Sequence, residues 1–202
     1  KELMPKARTM AVVSSDSTLF LRRMNQELHQ WLQSHPQQFP FKLTHFEKVN
    51  TLAEYQETML RFESDSQVDI IYPYVPISLI RSDGLGAPLA ETLAWTFRNI
   101  KKPDFTWMTS FVEMGYLGAI GIDLDACGRQ LAGKIEKAIK GFPVAEIPIS
   151  QPEKYAISLN LARARQLKVT IPLELLDGAE VVFAQMSVYP EYQAPQKGKI
   201  GR

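Results

Sequence analysis

The 202-residue chain carries 23 Lys and Arg against 22 Asp and Glu, a formal charge of +1, and 45% of its residues are apolar. That is enough for one sizeable core, or for one lobe and part of another. Near-neutrality removes the electrostatic reason to expect nucleic acid or an anionic membrane surface as partner. The single cysteine, Cys127, permits no intramolecular disulfide and no cysteine-based metal site, and His29, His35 and His45 lack zinc-ligand spacing, so neither metal nor other cofactor is expected. No apolar run approaches the ~20 residues of a membrane-spanning helix. The charged opening, Lys1 to Arg8, lacks the apolar stretch of a signal peptide, and the expectation is that the sequence begins inside a longer gene product.

Apolar runs alternate with helical patterns along the chain. Residues 9–13 read as a short buried strand. Ser14-Ser15-Asp16-Ser17 follow and offer N-caps for a helix whose apolar stripe is Phe20, Met24, Leu28 and Trp31, ended by His35-Pro36. Residues 41–46 alternate as a second strand. A helix over 51–63 turns Leu52, Tyr55 and Met59 inward, with Asn50 or Thr51 as cap, and 68–72 form a third strand. After an irregular stretch marked by Pro73, Pro76, Gly84, Gly86 and Pro88, a third helix over 89–100 carries Leu89, Leu93, Phe97 and Ile100, and 104–108 form a fourth strand. Strand and helix in strict alternation signify a parallel, doubly wound α/β sheet.

The second part reads differently. Residues 109–122 are rich in glycine and aromatics. A helix over 123–140 has Leu124, Cys127, Leu131, Ile135 and Ala138 on one side, and Gly141 stops it; Cys127 is expected to be a small buried hydrophobe there. Residues 142–152, with three prolines, look extended, as a crossover would be. A strand over 155–159, a short helix over 160–167, a further helix from Ile171-Pro172 and a last strand over 180–186 complete the pattern. The segment 187–202 reads as a flexible, polar tail.

In open parallel α/β sheets ligands bind beyond the carboxyl ends of the strands, where loops converge and helix N-termini present free N–H groups. Three such ends can be read here. Ser14, Ser15 and Ser17 can donate to a carboxylate and Asp16 can pair with an ammonium, although plain helix capping needs the same residue types. Tyr72 and Tyr74 offer phenols beside a rigid proline, with Tyr72 expected to face the core. The third end carries Trp107, Ser110 and Glu113; Trp107 either stacks on a ligand or packs a lobe interface. Gly84-Leu85-Gly86 lacks the rest of a phosphate loop, and no nucleophile–base set is present. Asp123 and Asp125 sit at a helix start, where carboxylates suit the dipole, so catalysis is not expected.

The run Gly118-Ala-Ile-Gly-Ile-Asp123, then Gly128, Ile139-Lys-Gly-Phe-Pro-Val-Ala-Glu-Ile-Pro148, Ser158-Leu-Asn-Leu-Ala162, Leu167-Lys-Val-Thr-Ile-Pro172 and Leu175-Leu-Asp-Gly-Ala179 resembles, in order and spacing, the ABC-transporter substrate-binding family that includes the tryptophan/tyrosine-type binding proteins. Lys1 to Val13 looks like that family's hinge into its second lobe, and Val68 to Tyr72 matches its third strand. The resemblance covers roughly residues 1–185. It implies a periplasmic-binding-protein-like (type I) lobe: residues 1–112 as the main part of the second lobe, 113–141 as a return segment packing on an absent first lobe, and 142–186 as crossover and completion. That first lobe would be covalent or a separate fragment. It implies a small-molecule ligand, held at Ser14, Ser15, Asp16, Ser17, Tyr72 and Tyr74, and an ABC transporter permease as partner. The Asn-rich first turn expected of aromatic-amino-acid binders is absent. The implied location is periplasmic or extracellular, with a lipid anchor on a segment outside this sequence. The same fold also serves as the extracellular sensing domain of signalling receptors.

Overall fold

The computed structural model describes residues 2–188. Its backbone is one run of strands in two ladders. The first contains β1 (Thr9–Ser15), β2 (Lys42–Val49) and β3 (Ile70–Val75) in the order β2-β1-β3, all parallel. The second contains β4 (Phe105–Thr106), β5 (Gly118–Ile122), β6 (Tyr155–Asn160) and β7 (Val181–Phe183) in that order. A single parallel bridge, Ile71 with Asp104, joins the ladders, and Ile71 N–H donates to the Pro103 carbonyl at 3.0 Å. Every ladder is parallel except β5 with β6, which run antiparallel.

The helices follow from the sequence in different degrees. The helix α2 (Leu52–Ser64) has a complete capping box: Thr51 Oγ1 accepts from Glu54 N–H, and the Glu54 carboxylate accepts from Thr51 N–H. Its buried residues, Leu52, Tyr55, Thr58, Met59 and Phe62, pack on the sheet face formed by Ala11, Val13 and Ile71. Burial of each large side chain contributes roughly 1.5–3 kcal/mol. The helix α1 (Leu19–Ser34) departs from its expected stripe. Leu21, Asn25 and Leu32 are its buried residues, whereas Phe20 and Trp31 are 70% and 42% exposed. The inward face is rotated because Asn25, a polar residue, is drawn in by its hydrogen bond to the Ser15 carbonyl at 2.8 Å. The helix covers the opposite sheet face, where His29 stacks on Phe46 of β2.

The helix α3 (Leu89–Asn99) buries Leu93 and Phe97, and Ile100 closes the layer beneath it. The fourth strand is only two residues long. The glycine- and aromatic-rich stretch after it, which carried no assignment, forms the short helix α4 (Thr109–Met114) and then β5. Gly115 allows the tight turn between them: its φ is +148°, and a Cβ there would lie 2.4 Å from the Phe97 ring. Tyr116 and Leu117 are fully buried. Residues 118–122 form a strand of the sheet, and the chain departs from it at Asp123.

The segment that departs comprises α5 (Leu124–Ile139), a 3-10 turn (Val144–Glu146) and an extended stretch back to β6. None of the residues in 123–154 is buried. Leu124, Leu131, Ile135 and Ile139 are 77%, 58%, 51% and 80% exposed, and Cys127 is half-buried rather than buried. Lys134 Nζ donates to the Pro148 carbonyl and Gln130 Nε2 to Ser150 Oγ, both at 2.8 Å, laying the extended stretch along the helix. The last elements are α6 (Leu161–Gln166), α7 (Leu173–Asp177) and β7, the expected strand reduced to three residues. Ser187 N–H donates to the Glu113 carbonyl, so the start of the expected tail is fixed; 189–202 lie outside the described residues.

Arg163 of α6 is fully buried and pairs with the fully buried Asp104, Nη2 to Oδ2 at 2.5 Å and Nε to Oδ2 at 3.1 Å. It also donates to the carbonyls of Phe97 and Ile100 and to Gln166. Removing one partner leaves a buried charge unpaired. Arg163→Met is expected to lower unfolding free energy by about 3–5 kcal/mol in urea titration, and the Arg163→Met/Asp104→Leu double variant to recover most of that loss.

Candidate functional site

All of β1, β3 and β4 point the same way, so their carboxyl ends share one edge of the sheet. The turn after β1 supplies hydroxyls and a carboxylate. Ser14 and Ser15 are buried, and Ser15 Oγ lies 2.9 Å from Ser17 Oγ. Asp16 is held from both sides: its N–H donates to the Val49 carbonyl at 2.9 Å, and Asn25 Nδ2 donates to its Oδ1 at 3.3 Å. Helix capping itself falls to Thr18, whose Oγ1 accepts from Leu21 N–H at 3.2 Å. That leaves the backbone N–H groups of Thr18, Leu19 and Phe20 with no acceptor among the described residues. The serines are thus not the caps that their residue types permitted.

The second and third ends form one aromatic group. Tyr72 and Tyr74 lie two residues apart on β3 and so share a face; their rings stack with centroids 6.0 Å apart at 18°. The expectation that Tyr72 alone turns inward fails for that reason. Both are partly buried against Met10, Val12 and Ile70. Trp107 extends the row, its ring 6.1 Å from that of Tyr74, and its indole N–H donates to the Tyr74 carbonyl at 2.8 Å. Burial raises the phenol pKa of Tyr72 and, less strongly, of Tyr74; for Tyr72 the neighbouring Tyr74 adds to the rise, and for Tyr74 the Glu27 carboxylate does.

Ser110 and Glu113 are exposed on α4, and no hydrogen bond or ring contact among the described residues links them to Tyr74 or Trp107. Phe20, assigned to a core stripe, is instead exposed in the first turn of α1, three residues after Ser17. No group of three or more His, Cys, Asp or Glu side chains among the described residues could hold a metal ion, and no described helix is long and apolar enough to cross a membrane.

A parallel α/β layer with hydroxyls, free N–H groups and aromatic rings gathered at its strand ends is a periplasmic-binding-protein-like lobe. The chain belongs to the ABC transporter substrate binding protein family, which it matches over residues 1–183. Three solved structures share the fold. One is a ligand-free, open substrate-binding protein with adhesive properties from Clostridium difficile (TM-score 0.67, 18% identity, 90% of this chain and 56% of that one). A conserved domain protein from Vibrio cholerae matches at TM-score 0.61 and 20% identity over 90% of this chain and 57% of its own. The third, an ABC domain from Streptococcus pneumonia in complex with L-Trp, matches at 0.61 and 23% over 91% and 57%. The chain therefore spans a little over half the length of these structures. No curated protein matches it.

The raised phenol pKa values set a pH dependence. A tyrosine whose pKa rises on folding adds stability that is complete below its unfolded value near 10 and is lost as pH climbs through the folded value. Tyr55, pushed up to about 12 by burial, acts in the same direction. The urea midpoint is expected to fall between pH 9 and pH 11, and Tyr72→Phe to make that fall shallower.

Proposed function

We propose that this chain is the second lobe of an extracytoplasmic solute-binding protein that delivers a small molecule to an ABC transporter, with no catalytic step. The observation that carries this reading is the convergence of Ser14, Ser15, Asp16, Ser17, Tyr72, Tyr74 and Trp107 at one sheet edge, where a solute would meet donors, a carboxylate and ring faces together. An amino acid or related compound fits this set. Its carboxylate would meet the N–H groups after Thr18 and the serine hydroxyls, and its ammonium would pair with Asp16. The L-Trp bound to the pneumococcal protein accords with an aromatic surface of this kind.

The segment 123–154 supports the bilobed reading. Its apolar stripe, Leu124, Leu131, Ile135 and Ile139, is uncovered, and its two ends meet at β5 and β6, where Asp123 N–H donates to the Lys154 carbonyl at 3.2 Å. In this reading the segment crosses to a first lobe, completes it and returns, and the solute is held by contacts from both lobes on hinge closure.

Two experiments test the proposal on the two-lobed protein. In a thermal-shift screen of amino acids, sugars, purines and organic acids, one solute class is expected to stabilise by about 2.7 kcal/mol at 100 times its dissociation constant. Trp107→Ala is then expected to weaken that solute roughly tenfold or more, and unchanged affinity would remove Trp107 from the site. Separately, Ile135→Ala is expected to cost about 2–4 kcal/mol with the first lobe present and under about 0.5 kcal/mol in this chain alone. Equal small costs in both would sink the crossing segment.

A further inference from the structure

The helix α1 starts after the carboxyl end of β1 and runs back over the sheet, so its last turns lie toward the amino ends of the strands, where β2 begins with Lys42 beside Thr9. His29 of α1 stacks on Phe46 of β2 with centroids 4.6 Å apart. Around that pair the helix, the edge strand and the loop joining them enclose an open cavity of about 700 Å³. Its size falls in the range of small-molecule sites. Every lining residue lies between 29 and 46, and none belongs to the turns gathered at the carboxyl edge of the sheet.

The lining has two characters. Phe39, Phe41, Leu43 and Phe46 form an apolar wall, partly buried against the core around Met10 and Val12. Phe39 stands edge-on to Phe41 at 5.7 Å, and Pro36 and Pro40 restrict the loop that carries Phe39, so the wall is formed before anything binds. The titratable side chains on the border are His29, Lys42 and His45, with no carboxylate among them. The Lys42 side chain makes no hydrogen bond or ion pair among the described residues. Glu47, the carboxylate that β2 carries, is engaged by Arg61 at 3.0 Å. The negative end of the α1 dipole opposes an anion here, but its carbonyls are in use: Gln30 and Trp31 accept from Ser34 Oγ, and Trp31 from His35 N–H as well. The full charge of Lys42 outweighs that fractional one, which fades within the last turn.

We infer that this cavity is a second small-molecule site, at the end of the sheet opposite the proposed cleft, and that it takes a carboxylate carried on an apolar body. The body covers the phenylalanine wall and the carboxylate stays at the rim beside Lys42, where it remains partly hydrated. Because one helix–strand unit supplies the whole lining, the site requires neither a first lobe nor the solute of the cleft.

The test uses the two-lobed protein and three probes of one outline: 4-phenylbutyrate, 4-phenylbutanol and 4-phenylbutylamine. In calorimetric titrations the carboxylate is expected to bind roughly fivefold to twentyfold tighter than the alcohol, and the amine to bind weakest. Lys42→Met is expected to bring carboxylate and alcohol within about twofold of each other. Lys42 is exposed, so the variant's melting temperature is a direct control for folding. Phe39→Ala is expected to weaken both roughly threefold or more. Equal binding of all three probes, or tightest binding of the amine, overturns the assignment of an anion. A carboxylate preference that survives Lys42→Met overturns the location, since the probe then sits elsewhere, as on the uncovered side of α5. No heat from any probe at millimolar concentration overturns the site itself. Each of these results leaves the solute-binding reading of the strand-end cleft untouched.

Discussion

The ion pair of Arg163 with Asp104 ties together the end of α3, the approach to β4 and α6. The guanidinium is fully buried and would be costly to desolvate alone. It is satisfied on every side: by the Asp104 carboxylate, by the side chain of Gln166, and by the carbonyls of Phe97 and Ile100, which the end of α3 leaves without helical partners. Asp104 in turn accepts from Leu117 N–H at 3.1 Å, at the entrance to β5. One charge thus closes the end of a helix, anchors the bridge between the two ladders and fixes α6, which arrives 59 residues later in the chain.

That anchoring makes the excursion 123–154 possible. A segment of this length leaving a sheet would ordinarily loosen the strands at its ends. Here β5 and β6 pair along their whole length, from Gly118 with Leu159 to Ile122 with Tyr155. Beyond β6, Asn160 donates to the carbonyls of Val112 and Gln185 and accepts from Arg163 N–H. The departing chain is therefore clamped at its root, while its far part, α5 and the stretch beside it, keeps an uncovered apolar side. The same clamp holds β4, and with it Trp107, in register with β3, so the proposed solute site depends on contacts at the opposite edge of the sheet.

Much of this was legible in the sequence where one local signal dominated. The Thr51–Glu54 capping box and the spacing of Tyr55, Met59 and Phe62 define α2 with no reference to the rest of the fold. The alternation of strands and helices gave the parallel layer, and with it the three strand ends at which the site is proposed. Reading failed where tertiary contacts overrode local pattern. Asn25 is buried because the Ser15 carbonyl needs a donor, and this turned the α1 stripe outward and hid Phe20 from view. The strand β5 was missed because two of its five residues are glycines; Gly121 is required because a Cβ would lie 2.6 Å from the Trp107 carbonyl. Ser110 and Glu113 were read as following a longer fourth strand, whereas they lie on the short helix α4.

The bond from the Trp107 indole to the Tyr74 carbonyl has a bearing on discrimination between close chemical relatives. Indole has a single donor and no acceptor, and that donor already has its partner within the protein. In the proposed site Trp107 would consequently offer a solute a surface and nothing directional. A ring-substituted solute bearing an added hydroxyl would leave no group of Trp107 unpaired and would gain no bond there. Walls of that kind tolerate such isosteres and reject by outline alone, whereas strict exclusion arises where a buried polar group is left wanting. On this side of the site the expected behaviour is breadth within a shape class, and any finer choice between solutes falls to the hydroxyls and carboxylate of the turn after β1.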